Sequence, residues 1–337
     1  MTHLSNRREF MAGLATVTSL PFLLAACGAE DEEAPPTGGG AQAGGPFAFT
    51  DDRGEKISLD AMPERIVAHE YALAALWDYG VRPVGVYGST PVAEQPLLAD
   101  LDLAGVESVG EVWGEVNLEA LAALRPDLIV STWWPSEKLL GGIKDDKLAG
   151  KMGAIAPLLG IHAQVPAATT IDHFEKLAVA LGHSADAPEV VSIRERYDAA
   201  VAGFQEAVKA KPGLKMMAVY ADPEAMYVGK VEDYSDLREY AGWGLEVISG
   251  KSSDPYWEVL SWENADRYEA DLILHDGRAT APSQEDLSKI PVWSRLPAVE
   301  AGQLSPWHME EAVSYRLFAG HIEELTSAID SASVLSS

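Results

Sequence analysis

Several aromatic and ionisable residues follow directly after predicted strands, where their side chains are free to meet a ligand. Residues 65–68, 127–130 and 271–274 are short apolar runs typical of buried strands. In open α/β sheets, ligands bind beyond the carboxyl ends of the strands. This rule selects His69, Glu70 and Tyr71 after the first run, Trp133 and Trp134 after the second, and Asp276 and Arg278 after the third. Flat aromatic faces beside charged groups favour the binding of a bulky, partly apolar ligand.

Motifs for hydrolysis or phosphoryl transfer are absent from the sequence. It contains no Gly-x-Ser-x-Gly, no His-Glu-x-x-His and no glycine-rich phosphate loop. The adjacent carboxylates Asp51–Asp52 and Glu310–Glu311 are interpreted as ordinary exposed charges. The chain is therefore predicted not to be an enzyme, and an exported hydrolase remains only as an alternative.

Three histidines near strand ends raise the alternative of direct metal binding. His69, His275 and His308, with Asp276, could bind zinc or manganese. No two of these histidines are close in sequence, and no histidine-rich loop is present. We therefore predict neither a resident metal nor a cofactor.

The composition argues against nucleic acid as a partner. Among 337 residues, 52 are acidic and 25 basic, giving a formal net charge of −27. Neutralising phosphates requires clustered Lys and Arg. The length is sufficient for two modest domains, and the hydrophobic fraction of 47% is sufficient for a buried core. The single cysteine, Cys27, excludes an intramolecular disulfide and a cysteine metal cluster.

Residues 1–27 are predicted to form an export signal that ends in a lipid attachment site. Arg7–Arg8 resembles a twin-arginine (Tat) motif, although a general secretion signal can also contain two arginines. The apolar segment 10–26 ends in Leu24-Ala25-Ala26-Cys27, which resembles a lipobox. Acylated Cys27 would anchor the protein at the outer face of the cell membrane, in the periplasm if an outer membrane is present. An ordinary membrane anchor is the alternative.

Beyond Cys27, four further segments are predicted. Residues 28–46 are rich in Gly, Pro and acid and are expected to be a flexible tether. Residues 188–211 have helical periodicity, with Pro188 in the first turn and Pro212–Gly213 as a stop. The predicted organisation is an N-terminal α/β lobe at 47–186, a connecting helix at 187–212 and a C-terminal α/β lobe at 213–333.

The two lobes are predicted to share one design. In the first half a helix begins at Glu119 and is followed by a strand at Asp127. In the second half a helix from Glu263 to Ala270 is followed, at the same spacing, by a strand at Asp271. Strand–helix–strand order over residues 65–87 is typical of a parallel sheet. The predicted fold class is therefore α/β, with two related lobes joined by one long helix.

Six short motifs occur in a specific order over most of residues 47–333. They are Pro63-Glu64-Arg65-Ile66-Val67, Pro83-Val84-Gly85, Val109-Gly110, Asn117-Leu118-Glu119-Ala120-Leu121, Arg125-Pro126-Asp127-Leu128-Ile129-Val130 and Asp271-Leu272-Ile273-Leu274. In this arrangement the chain resembles the class III substrate-binding proteins of ABC importers, which serve siderophore, haem and cobalamin uptake.

The resemblance implies a fold, a ligand class and a partner. It implies that the ligand, an iron chelate such as a ferric siderophore, lies in the cleft between the lobes. One glutamate on each lobe, by position Glu119 and Glu263, would dock against the permease dimer. Each is alternatively an acid that merely stabilises the start of a helix. A zinc- or manganese-importer component remains an alternative.

The predicted ligand-binding residues combine aromatic walls with arginines. They are Tyr71, Trp113, Trp133, Trp134, Arg238, Trp257, Trp262, Arg278, Trp307 and Arg316, with Tyr227 and Tyr256 as further candidates. Trp77 and Trp293 are expected in the core. Arginines could hydrogen-bond the hydroxamate, carboxylate or catecholate oxygens around a metal. A hydroxamate siderophore is slightly favoured, because few basic residues remain to neutralise a highly anionic chelate.

Overall fold

A computed structural model describes residues 45–278 and 281–335. The predicted signal peptide with Cys27, and nearly all of the predicted tether at 28–46, lie outside the described residues. Within the described part of the chain, no helix is both long and apolar enough to cross a membrane.

The first half forms an α/β lobe, here called the N-lobe. Its strands are β1 (Phe47–Thr50), β2 (Lys56–Leu59), β3 (Ile66–His69), β4 (Gly85–Tyr87), β5 (Glu107–Gly110), β6 (Leu128–Trp134), β7 (Leu139–Leu140) and β8 (Leu158–His162). β1 and β2 form a separate antiparallel hairpin. The main sheet has the order β5-β4-β3-β6-β7, with β8 also paired to β6. All its pairings are parallel except that of β6 with β7.

Helices cover both faces of the N-lobe sheet, as the continuous burial of β3 requires. They are α1 (Glu70–Asp78), α2 (Leu118–Ala123), α3 (Asp146–Gly153) and α4 (Ala167–Ala180). Phe174 of α4 packs with α1 in one apolar cluster. Leu121 of α2 and Met152 of α3 belong to a second cluster on the opposite face. The N-lobe is thus a three-layer sandwich, which leaves the strand ends free.

The second half forms a similar lobe, the C-lobe. Its strands are β9 (Lys215–Ala221), β10 (Ala225–Gly229), β11 (Glu246–Ile248), β12 (Trp257–Ser261), β13 (Leu272–Asp276) and β14 (Leu304–Trp307). Its helices are α6 (Ser235–Gly242), α7 (Gln284–Leu287), α8 (Pro297–Glu300) and α9 (Tyr315–Ser331). The sheet order is β12-β10-β9-β13-β14, with β11 also paired to β9.

The predicted internal repeat has a structural basis in two aspartates. The Asp127 carboxylate accepts hydrogen bonds of 2.9 and 2.8 Å from the backbone N–H groups of Glu64 and Arg65, just before β3. The Asp271 carboxylate accepts one of 2.7 Å from the N–H of Lys215, at the start of β9. Each aspartate therefore ties the start of its own strand to the start of the neighbouring strand. The helix expected from Glu263 is, however, a 3₁₀ segment at Trp262–Arg267.

One long helix, α5 (Pro188–Ala210), connects the lobes. Val190 belongs to the main N-lobe apolar cluster. Tyr197 and Phe204 belong to a C-lobe cluster that also contains residues of α9. Helix α5 also forms a bidentate ion pair with α9, in which Arg196 donates to Glu323 at 2.9 and 2.6 Å. The connector is therefore packed along most of its length rather than free-standing.

Candidate functional site

A cavity of about 550 Å³ lies between the lobes, at the carboxyl ends of the strands. Its N-lobe wall comes from the ends of β3, β4, β5 and β6. Its C-lobe wall comes from the segments after β13 and β14 and from the residues just before α6 and at the start of β12. The volume falls within the range typical of small-molecule sites. The lining residues include Tyr71, Trp113, Trp134, Glu137, Tyr234, Tyr256, Trp257, Arg278, Glu310 and Glu311.

Buried polar groups at the start of α1 shape the N-lobe wall. Glu70 is buried, and its carboxylate accepts hydrogen bonds from Ser89 Oγ at 2.7 Å and Gln95 Nε2 at 2.6 Å. These bonds hold the segment after β4 against α1. Burial lowers the pKa of His69, although Glu70 opposes the shift, so its imidazole is neutral at pH 7. Nδ1 of His69 has no partner among the described residues and can therefore accept or donate a hydrogen bond to a ligand.

The C-lobe wall carries the cation of the site. Arg278 forms an ion pair with buried Asp276, through Nη2 at 2.7 Å and Nε at 3.1 Å. Burial alone would lower the pKa of Arg278, but its hydrogen bonds to the Asp276 carboxylate and the charge of that carboxylate outweigh burial and raise it. Nη1 of Arg278 makes no hydrogen bond within the described residues, so it remains available to a ligand oxygen.

Glu310 is the most strongly perturbed acid of the cavity. Its backbone has the left-handed φ of 70°, which is uncommon for a residue with a side chain. Burial raises the pKa of its carboxyl to about 7, against the opposing effect of Arg278. Tyr71 donates a long hydrogen bond of 3.5 Å to it across the lobes. At neutral pH, Glu310 is therefore only partly ionised.

Tyr234 and Trp257 form an aromatic wall that is supported from behind by Trp307. The ring centroids of Tyr234 and Trp307 are 4.7 Å apart, and those of Trp257 and Trp307 are 5.8 Å apart. Trp307 is fully buried and donates its indole N–H to Asp236 at 2.7 Å. Trp307 thus positions the two cavity-lining rings without lining the cavity itself.

Tyr256 joins the lobes at the edge of the cavity. Its hydroxyl shares a hydrogen bond of 2.5 Å with Ser136 Oγ and accepts one of 3.0 Å from Gln164 Nε2, both of the N-lobe. Its backbone has a left-handed φ of 67°. The N–H of Tyr256 donates to Asp233 at 2.9 Å, which helps to hold this conformation.

The structure brings half of the predicted ligand-binding residues to the cavity. Those that line it are Tyr71, Trp113, Trp134, Trp257 and Arg278. Trp113 lies at the rim, with 55% of its surface exposed. Of the two further candidates, Tyr256 lines the cavity and Tyr227 does not. Trp293 is buried as expected, whereas Trp77 is only partly buried and carries the Arg82 guanidinium 4.1 Å above its ring.

Three predicted tryptophans lie elsewhere, each for a packing reason. Strand β6 continues through Trp134, so Trp133 points to the opposite face and packs in the N-lobe cluster. Trp262 packs in a C-lobe cluster and donates its indole N–H to the carbonyl of Asp222 at 3.2 Å. Trp307 has the supporting position described above. None of the three contributes to the cavity lining.

Two predicted arginines make contacts between the lobes instead of lining the cavity. Arg238 is exposed and donates to the backbone carbonyl of Gln164 at 2.9 Å. Arg316 of α9 donates through Nε to Asp78 of α1 at 2.8 Å. Their sequence positions gave no indication of these partners, which are distant along the chain.

Sequence reasoning missed several lining residues of the C-lobe. The pair Glu310–Glu311 was interpreted as exposed, yet both residues line the cavity and Glu311 is buried. Asp51 is also buried, since its carboxylate accepts hydrogen bonds from backbone N–H groups of Glu55 and Gly160 at 3.0 and 2.9 Å. The signal for Glu310 was available, because it lies three residues after the end of β14, much as Arg278 lies two residues after the end of β13.

The histidines proposed for direct metal binding do not assemble. Among the described residues, the group with suitable ligand atoms is His308, Glu311 and His321, without His69 or His275. The predicted docking acids Glu119 and Glu263 are both exposed, one on each lobe. Each lies in the first turn of a short helical segment.

Residues 86–310 match the family described as periplasmic binding protein. The chain belongs to this family. Its two lobes, connecting helix and inter-lobe cavity are those of a class III substrate-binding protein of an ABC importer, as the sequence motifs predicted. Such proteins are extracytoplasmic binding components rather than enzymes.

Several solved structures resemble this periplasmic binding protein. DesE, a ferric-siderophore receptor protein from Streptomyces coelicolor, is 31% identical, with a TM-score of 0.80 over 86% of this chain and 100% of that chain. The siderophore periplasmic binding protein from the fuscachelin gene cluster of Thermobifida fusca is 22% identical, with a TM-score of 0.59 over 79% of this chain and 96% of that chain.

A third similar structure is FhuD, a siderophore-binding protein from Vibrio cholerae bound to Fe³⁺–Desferal. It is 18% identical, with a TM-score of 0.58 over 79% of this chain and 98% of that chain. At the identities of the second and third structures, the likeness concerns the fold alone. No curated protein sequence matches the chain significantly.

Proposed function

We propose that this protein captures a ferric siderophore, with a hydroxamate complex favoured, and delivers it to an ABC importer. The observation that carries the proposal is the charge of the cavity. Four acidic side chains line it, from Glu70, Glu137, Glu311 and the partly ionised Glu310, against one guanidinium among the described lining residues. Similarity to DesE, a ferric-siderophore receptor protein, supports the same ligand class.

The charge of the chelate decides between siderophore classes. Three hydroxamates supply the three negative charges that neutralise Fe(III), whereas three catecholates leave the complex strongly anionic. An acidic cavity repels an anionic complex and accepts a neutral or cationic one. The rings of Trp134, Tyr234 and Trp257 offer flat apolar area to the carbon skeleton of the ligand. Nη1 of Arg278 can donate to one metal-bound oxygen.

The first experiment is a titration of the purified chain, followed by tryptophan fluorescence. The panel is ferric hydroxamate, ferric catecholate, ferric citrate, haem and cobalamin. We expect a dissociation constant of about 1 μM or lower for the hydroxamate and at least about tenfold weaker binding of the anionic chelates. Tight binding of an anionic chelate alone would overturn the hydroxamate preference, and binding of no iron chelate would overturn the whole proposal.

A matched pair of variants distinguishes contact between the ligand and Trp257 from quenching of all the tryptophans. Trp257 lines the cavity, whereas Trp262 packs in a core cluster of the same lobe. Gallium(III) hydroxamate lacks the visible absorption of the iron complex, so its effect on fluorescence is short-ranged. Trp257→Phe should remove much of the gallium-dependent change, and Trp262→Phe should retain it.

We further propose that Cys27 carries a lipid anchor and that the chain is exported by the Tat route. The lipobox-like segment 24–27 and the Arg7–Arg8 pair support this proposal. Cys27→Ser should abolish labelling by a palmitate analogue and release the protein from the membrane fraction. Replacing both arginines by lysine should block export, and unchanged export would contradict the Tat assignment.

A further inference from the structure

Two histidines and a glutamate converge beside the cavity, on its C-lobe side. His308 and Glu311 lie in the segment between β14 and α9 (residues 308–314, the β14–α9 loop), and His321 lies in α9. The two imidazole rings are parallel within 5°, with centroids 4.1 Å apart. One Glu311 oxygen lies 3.6 Å from His308 Nδ1 and 3.7 Å from His321 Nε2.

These distances fit ligands of one metal ion better than hydrogen bonds. Both exceed the usual donor–acceptor range of about 2.7–3.2 Å. Ligands at about 2.0–2.1 Å from a tetrahedral zinc ion lie about 3.3–3.5 Å from one another. One nitrogen from each histidine and one Glu311 oxygen all lie within 4.8 Å of one another. Because the two rings now lie in parallel planes, they must also rotate about their side-chain torsions before both nitrogen lone pairs meet at one ion.

A fourth side chain orients the first histidine. His308 Nε2 forms a hydrogen bond of 2.7 Å with Glu324 of α9. A carboxylate on one ring nitrogen fixes the tautomer and leaves the lone pair of the other nitrogen for a metal. His321 Nε2 faces the same Glu311 oxygen at 3.7 Å, on the side where the ion would lie.

We propose that His308 Nδ1, the Glu311 carboxylate and His321 Nε2 bind one divalent transition-metal ion of the zinc type. Two imidazoles and a carboxylate suit zinc rather than calcium or magnesium, which prefer oxygen ligands alone. The fourth position is open to water. This site is distinct from any iron inside a chelate in the cavity.

The bound ion fastens the β14–α9 loop to α9. Glu310 and Glu311 of this loop line the cavity. A metal that holds Glu311 therefore restricts the loop that presents both carboxylates. The expected consequence is a more rigid C-lobe wall in the metal-bound protein.

The test uses Zn²⁺ alone with the purified chain, after removal of any affinity tag. Competition with a chromophoric zinc chelator should give one Zn²⁺ per chain, with a dissociation constant of about 1 μM or lower. Co²⁺ in its place should give the intense visible absorption of a four-coordinate site. The assay contains no siderophore, so its result is independent of the proposed transport function.

Substitution of each proposed zinc ligand tests which side chains bind the ion. Glu311→Gln, His308→Asn and His321→Gln should each weaken Zn²⁺ binding by about tenfold or more. His183→Gln, which removes an N-lobe histidine outside the cluster, should leave it unchanged. Thermal melting in the absence of metal identifies any variant that fails to fold, and the nearly isosteric Glu311→Gln keeps the test valid in that case.

Hydrogen exchange tests the consequence for the loop. Zn²⁺ should slow amide exchange in residues 308–314 of the wild type and of His183→Gln, but not of Glu311→Gln. Absence of stoichiometric Zn²⁺ binding by the wild type would overturn the proposal. Equal binding by all three ligand variants would overturn it as well.

Discussion

At the scale of single residues, some acidic side chains of the cavity already have hydrogen-bond partners within the protein, whereas others are available to a ligand. Glu70 uses its carboxylate within the N-lobe, on Ser89 and Gln95. Glu137 is exposed at the cavity, and its charge is therefore free to act on an incoming ligand. Selectivity between chelates should accordingly respond to Glu137 without loss of the fold.

We expect Glu137→Lys to shift selectivity toward anionic chelates. Replacing a negative by a positive charge at the wall attracts an anion, and at a partly solvated site the effect is about threefold to tenfold in affinity. Fluorescence titration with ferric citrate and with a neutral ferric hydroxamate measures the ratio. Glu285→Lys makes the same change in net charge on an exposed site of α7 and should leave the ratio unchanged. An equal shift in both variants would contradict a local role for Glu137.

A second residue-scale effect concerns the acid that holds Trp307. Burial raises the pKa of Asp236 to about 6, although the hydrogen bond from Trp307 opposes the shift. The folded state therefore favours the protonated acid. The stability of the folded state that comes from the protonated Asp236 is fully present below the unfolded pKa near 4. It is lost as the pH rises through the folded pKa of about 6.

We expect Asp236→Asn to become more stable relative to the wild type as the pH rises from about 4 to about 6, and to keep that advantage above. The neutral amide retains an oxygen acceptor for the Trp307 indole and avoids burying a charge. The relative gain should be at most about 3 kcal/mol, measured by urea unfolding across this range. Asp266→Asn controls for the loss of one net charge. A difference in stability that stays constant with pH would contradict the prediction.

The sequence predicted where the cavity lies better than it predicted which residues line it. Strand ends selected Tyr71, Trp134 and Arg278, because the rule depends only on the direction of the chain in a parallel sheet. Trp133 does not line the cavity as predicted, because the strand continues past Val130 and the alternation of side chains turns Trp133 to the other face of the sheet. Arg316 does not line the cavity as predicted, because it pairs with Asp78 of the other lobe. No local pattern in the sequence indicates this partner.

At the scale of elements, the turn between β7 and α3 fixes the N-lobe wall through two adjacent glycines. Gly141 and Gly142 both line the cavity. Gly142 has a left-handed φ of 69°, and a Cβ there would lie 2.9 Å from the His69 ring and 3.0 Å from Tyr87. Close packing under the wall therefore depends on the absence of a side chain.

Gly142→Ala is expected to destabilise the protein by about 1–3 kcal/mol and to weaken chelate binding, because both the backbone and the His69 ring must shift. Gly203→Ala is the matched control. Gly203 lies within α5, and a Cβ there would meet nothing within 4 Å, so alanine should stabilise by about 0.5–1 kcal/mol. Urea unfolding and fluorescence titration measure both effects. A neutral Gly142→Ala would show that the wall tolerates displacement.

Element order was predictable, because strands, the long helix and the Asp127–Asp271 repeat follow from local patterns. The 3₁₀ segment at Trp262–Arg267 was not, since six residues with one buried apolar position give no distinct period. The supporting role of α9 was also not predictable. Its packing against α5 depends on contacts between segments far apart in sequence.

At the scale of the whole molecule, the lobes are joined by more than the connecting helix. Tyr256 with Ser136, Arg316 with Asp78, and Arg238 with the Gln164 carbonyl all cross between them. Leu317 of α9 also belongs to the N-lobe apolar cluster. These contacts favour one relative position of the lobes, so the exposed acids Glu119 and Glu263 keep a defined separation.

The docking proposal predicts a separation of transport from binding. Glu119→Arg with Glu263→Arg should abolish uptake of the ferric chelate while leaving its affinity within about twofold, because both acids are exposed and neither lines the cavity. In the proposed docking, each acid faces a basic group of the permease, so charge reversal replaces an attraction by repulsion on each lobe. Uptake of a radiolabelled ferric hydroxamate by cells that carry only the variant gives the first quantity, and titration of the purified variant gives the second.

Glu64→Arg with Glu285→Arg, again one exposed acid on each lobe, should transport normally. If this control pair lost uptake to the same extent, general surface charge rather than two defined contacts would govern docking. Normal uptake by the Glu119–Glu263 pair would leave both acids with only their local role at the start of a helix.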